Sequence, residues 1–68
     1  MSSEPRSPHA AELMSIRTLV EELQARVNGL ARTVESTAAE DLARILYEAE
    51  RALRTAVRQL ARAERLAS

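Results

Sequence analysis

From residue 13 onward the apolar side chains recur at spacings of three and four: Leu13, Ile16, Val20, Leu23, Val27, Leu30 and Val34. That period gathers them on one stripe of an α-helix, and its persistence makes it a heptad seam. With Leu13 at position a, Val20, Val27 and Val34 are also a, and Ile16, Leu23 and Leu30 are d. A second series follows: Leu42, Leu46, Ala49, Leu53, Ala56, Leu60, Ala63 and Ala67. Its phase is different, because continuing the first heptad would put Thr37 and Asp41 in a core. With Leu46, Leu53 and Leu60 at a, the d residues are Leu42, Ala49, Ala56 and Ala63, so large and small side chains alternate.

Local signals place the boundaries. Ser7 followed by Pro8 supplies a capping hydroxyl and a proline at the first helical position. Thr37 with Glu40 three residues later reads as a capping box, with Asp41 adding favourable charge at a helix N-terminus. Asn28-Gly29 is a turn-forming pair, but the seam keeps its phase through Val27, Leu30 and Val34, so the helix is expected to continue across it. The pattern therefore predicts a flexible tail at 1–7, a helix over about 8–35, a turn at 36–37 and a helix over about 38–67.

The apolar stripe of the second helix is wide. Ile45, Ala52 and Leu66 flank the seam on one side, and Ala43 and Val57 on the other. A stripe of that width serves two neighbours, and one hairpin supplies a single one. At 68 residues a lone core is also marginal. The expected fold is all-α: an antiparallel two-helix hairpin with coiled-coil-like heptads, dimerising into a four-helix bundle. Its interface would use Leu13, Ile16, Val20, Leu23, Val27, Leu30 and Val34 of the first helix. From the second it would use Leu42, Ile45, Leu46, Ala49, Leu53, Ala56, Val57, Leu60 and Ala63.

Charge bears on how the pieces pack. Residues 8–22 carry Glu12, Glu21 and Glu22 against Arg17, and residues 23–35 carry Arg26 and Arg32 against Glu35. Residues 38–50 hold four acidic residues against Arg44, and residues 51–68 hold five arginines against Glu64. A hairpin brings unlike segments together at both ends. Two hairpins stacked with each loop against the other's open end cancel what is left. Such surface pairs select register more than they stabilise. Valine at a with leucine at d also fits a parallel pairing of two first helices, the second arrangement considered.

Composition narrows the chemistry. The chain has no cysteine, a single histidine (His9), one glycine and one aromatic residue, Tyr47. Disulfides and thiolate metal sites are excluded. No glycine-rich phosphate loop and no nucleophile–histidine–carboxylate spacing is present. His9 reads as a surface residue. The sequence points away from an enzyme and calls for no cofactor. No apolar run approaches the roughly 20 residues of a membrane span, and the N-terminus has no secretory core segment. A cytoplasmic protein without membrane contact is expected. All ten basic residues are arginine, which suggests GC-rich bacterial coding.

The remaining candidate for function is a row of arginines. Arg44, Arg51, Arg58 and Arg65 recur every seven residues at position f, opposite the seam, with Arg54 and Arg62 between them. Charge runs of this kind are usually a solvated helix face. Arg54, Arg58 and Arg62 stack four apart, however, and like charges at that spacing repel. Together with Tyr47 the row forms a candidate partner-binding surface, since tyrosine and arginine are enriched at binding hot spots. A hairpin dimer with an arginine row resembles the Rop type of RNA-binding hairpin dimers in architecture alone, for no residue motif is shared. Zero net charge and the lack of stacking aromatics argue against nucleic acid. The expectation is a small regulatory or adaptor protein acting through protein contacts. The alternatives are a nucleic-acid-binding regulator and a structural subunit of a larger helical assembly.

Overall fold

A computed structural model describes residues 8–68. The expected tail at 1–7 and the Ser7 cap lie outside the described residues. Two helices, α1 (Pro8–Glu35) and α2 (Glu40–Ala67), pack against each other as a hairpin. Both are built largely from alanine, leucine, glutamate and arginine, which have high helix propensity. Asn28-Gly29 does not break α1: the helix runs through it with no positive φ, and the Thr33 hydroxyl donates to the Gly29 carbonyl at 3.1 Å.

Hydroxyl residues close α1 without a glycine cap. The Ser36 and Thr37 backbone N–H groups donate to the carbonyls of Thr33 and Val34 at 3.3 and 2.9 Å. Their side-chain hydroxyls donate to the same two carbonyls at 2.7 and 2.6 Å. Two of the four orphan acceptors at the helix end are thereby satisfied. This changes the expected turn. The Thr37 oxygen accepts from the Ala39 N–H at 3.2 Å and does not reach further into α2. Ala39 is the N-cap and no side chain caps it. The predicted capping box is absent, and α2 starts at Glu40, two residues later than expected. Glu40 and Asp41 still lie in the first turn and Arg65 in the last, as the helix dipole favours.

The contact between the helices corrects the heptad reading. In α1 the residues with reduced exposure include Ala10, Leu13, Arg17, Val20, Gln24, Val27, Ala31 and Val34. In α2 they include Ala43, Leu46, Glu50, Leu53, Val57, Leu60, Glu64 and Ala67. Both series keep the three-four spacing, yet they are a and e positions, where a and d had been expected. The a residues face the other helix, flanked by small or polar e residues. The d residues Ile16, Leu23, Leu30 and Leu42 are exposed. Buried residues are few: Ala10, Ala31, Ala43 and Glu50. Alanine at these positions lets the two axes approach closely.

Candidate functional site: an open apolar face and an arginine row

Handedness decides where the unused apolar residues go. The helices run antiparallel and both turn a and e inward, so the same heptad letter falls on the same side of the hairpin in both. The bond between Tyr47 and Glu35, both at position b, shows this directly: the phenol donates to the Glu35 carboxylate at 2.8 Å. Positions d and g therefore share the opposite face. It carries Ile16, Leu19, Leu23 and Leu30 from α1, and Leu42, Ile45 and Leu66 from α2, all exposed. Leu19 is 58% and Leu66 86% exposed, far beyond what a leucine in a packed core would show. A shallow groove of about 410 Å³ lies on this face, lined by Leu23, Arg26, Val27 and Leu30. Leu19 belongs to this face and escaped the sequence reading, because it lies at g, outside the a/d seam. The same position holds Glu12 and Arg26 one heptad away on either side, so no apolar repeat marks it.

The residues expected at an oligomer interface thus divide. Leu13, Val20, Val27, Val34, Leu46, Leu53, Val57 and Leu60 face the contact within the hairpin and are partly covered by it. Ile16, Leu23, Leu30, Leu42, Ile45 and Ala49 are exposed, and Ala56 and Ala63 lie partly covered at the edge.

Polar side chains form the ends and middle of the helix contact. Arg17 of α1 pairs with Glu64 of α2 through its Nε, and its Nη2 donates to Glu64 Oε1 at 3.3 Å. A further bond reaches Glu21 within α1 at 3.0 Å. The Glu64 hydrogen bond is the chief reason the Arg17 guanidinium is held protonated even more firmly than usual. Near the middle, the Glu50 carboxylate is buried. Arg54 donates to both of its oxygens at 2.8 and 2.6 Å, and Gln24 of α1 donates at 3.0 Å. The Arg54 bonds, then the Gln24 bond, hold its pKa below the ordinary carboxylate value. Sequence reasoning missed Arg17, Gln24, Glu50 and Glu64 as contact residues. The available signal was their shared position e, one step from the seam.

The arginine row is less uniform than its spacing suggests. Arg54 is committed to Glu50 and belongs to the hairpin's own structure. Arg44 pairs with Asp41 at 3.2 Å and Glu48 at 3.8 Å. Arg58 donates to the Thr55 hydroxyl at 3.4 Å. Arg51, Arg62 and Arg65 make no ion pair with the described residues. Arg58, Arg62 and Arg65 line a surface groove of about 480 Å³ with Thr55, Gln59 and Ala61. Tyr47, a member of the candidate surface, is half-buried and tied to Glu35. That bond raises the pKa of the phenol, because the carboxylate accepts from its neutral form.

Among the described residues no group of three or more His, Cys, Asp or Glu is placed to hold a metal ion, and no helix is long and apolar enough to cross a membrane. Comparison with family models, with curated proteins and with solved structures finds no match.

Proposed function

We propose that the chain is a non-enzymatic helical hairpin that pairs with a second copy through its d and g face to form a four-helix bundle. The bundle serves as a small regulatory or adaptor protein in the cytoplasm, acting through protein–protein contacts. One observation carries this reading. Seven large apolar residues, Ile16, Leu19, Leu23, Leu30, Leu42, Ile45 and Leu66, stand exposed on one side of the hairpin, while its fully buried apolar residues are alanines. An exposed patch of this kind marks an interaction surface. The arginines at position f point away from that face, so pairing would leave Arg51, Arg58 and Arg65 outward to meet an acidic partner.

Sedimentation equilibrium across micromolar concentrations, followed together with circular dichroism, tests the pairing. Helicity and dimer should fall together on dilution. A fully helical monomer throughout would overturn the reading.

A second reading has its own support in the groove that gathers Arg58, Arg62 and Arg65, since arginine forks suit phosphate. It predicts binding to hairpin RNA or duplex DNA that weakens steeply with salt and is lost when these three arginines are reversed to glutamate. Fluorescence anisotropy near physiological salt decides between an acidic protein partner and nucleic acid.

A further inference from the structure

Two charged residues interrupt the largely apolar d and g face. They are Glu12 and Arg26, both at g of α1, and neither makes an ion pair with the described residues. They lie seven residues to either side of Leu19, itself exposed. Between them Ile16 and Leu23 flank Leu19 at three and four residues, so the stretch from Glu12 to Arg26 is a near-palindrome with opposite charges at its ends. A twofold axis through Leu19, perpendicular to the helix and in the plane of the face, would lay Glu12 on its mate's Arg26 and the reverse. An interface of this type is isologous, so one complementary pair is made twice.

The second helix supports the same axis. At equal rise per residue along two antiparallel helices, the Arg17–Glu64 bond sets Leu19 level with residue 62 and the Gln24–Glu50 bond with residue 55, and Gln59 lies between these levels. Gln59 is at g, and the d and g residues around it, Ala52, Ala56, Ala63 and Leu66, repeat the spacing found around Leu19. The axis would oppose Gln59 to its own copy, Ala56 to Ala63 and Ala52 to Leu66. Small residues would then receive the most exposed leucine, and two side-chain amides would meet, each able both to donate and to accept.

We propose that two copies pair antiparallel, α1 on α1 and α2 on α2, about an axis through Leu19 and Gln59, with Glu12 and Arg26 exchanging ion pairs across it. This rests on the reading that the open face takes a second copy, and it specifies orientation and register. The loops then project at opposite ends. The alternative with both loops at one end sets α1 on α2, where neither charge meets an opposite one at d or g.

The test uses the full chain as wild type, Glu12→Arg, Arg26→Glu and the double variant, with Glu22→Arg as a control for register. Dimer dissociation constants come from sedimentation, and mixed dimers are counted by native mass spectrometry. Each single reversal places like charges together twice in one dimer and should weaken pairing by roughly tenfold. The double variant should regain wild-type pairing, and an equimolar mixture of the two single variants should form mixed dimers in preference to either homodimer. Circular dichroism should show all of them equally helical at concentrations where they are dimeric. Wild-type monomer at high concentration would remove the underlying reading as well. Tight wild-type pairing that the single reversals leave unchanged, or that Glu22→Arg weakens while Glu12→Arg does not, would overturn the register and leave self-association standing.

Discussion

Gln24 of α1 donates its side-chain N–H to a carboxylate oxygen of Glu50 on α2 at 3.0 Å, and Arg54 holds the same carboxylate from within α2. The Glu50 side chain is 6% exposed, so a charge sits buried near the middle of the helix contact. Its cost is met by hydrogen bonds from both helices, and no buried side-chain polar atom among the described residues is left without a partner. Removing one partner of such a group strands the other. Arg54→Ala should therefore destabilise the hairpin distinctly more than Arg58→Ala, whose guanidinium reaches only the exposed Thr55 hydroxyl. Paired urea titrations check the order, and equal midpoints would show that Glu50 does not depend on Arg54.

The small residues at e make a sharper demand. Ala31 is 0% exposed, and a leucine there must push the helices apart. Ala31→Leu should cost about 1–3 kcal/mol through overpacking. Ala25→Leu, at exposed position f, should leave the packing untouched. Urea unfolding of the two variants at one protein concentration separates them, and equal losses would contradict the a/e contact.

Much of this fold could be read in advance, and the part that could not has a definite cause. The three-four spacing and the change of phase after Val34 locate two helices and a reversal. Periodicity alone cannot say which flank of a seam faces the near helix and which the far one. The a residues are common to both choices. What decides is the e row: Ala10, Ala31 and Ala43 are small enough for close approach, and Arg17, Gln24, Glu50 and Glu64 bond to one another across it. These cross-helix partners are far apart in sequence, so their pairing appears only once the chain is folded. The arginine row shows the converse, for the four-residue spacing of Glu50 and Arg54 marks that pair in the sequence itself, and the structure holds it.

Gly29 offers a gain in stability. It lies inside α1 with no positive φ, and a Cβ added there would meet nothing within 4 Å. Glycine is then an entropic cost without a compensating contact. Gly29→Ala should stabilise the hairpin by about 0.5–1 kcal/mol, measured by thermal or urea unfolding. A loss of stability would mean that α1 breaks at Asn28-Gly29 in solution.

One hydroxyl bridges the two sides of the turn. Thr37 donates to the Val34 carbonyl and accepts from the Ala39 N–H, so one side chain ties the end of α1 to the start of α2. Thr37→Ala should cost about 0.5–1.5 kcal/mol, and Thr37→Ser, which keeps the hydroxyl, should restore most of it. If both variants unfold at the wild-type midpoint, water replaces these bonds without loss and the turn is held by the helices alone.

Two side chains with opposite shifts give the hairpin an acid and an alkaline edge. The folded state depresses the pKa of Glu50 below its ordinary 4.5, so the unfolded chain takes up a proton first as pH falls. Its contribution is fully present above the unfolded value and is lost as pH drops through the lower folded value. Tyr47 has the reverse sign of shift: its phenol is held protonated by Glu35, and its pKa lies above the ordinary 10.0. That contribution is present below the unfolded value and is lost as pH rises through the higher folded one. Thermal melts across the pH range should therefore show stability falling at both ends. Glu50→Gln should flatten the acid side and leave the alkaline side as in wild type, while Tyr47→Phe should do the opposite. If each variant kept the wild-type slope at its own end, the Arg54–Glu50–Gln24 and Tyr47–Glu35 bonds would not be what couples folding to protons.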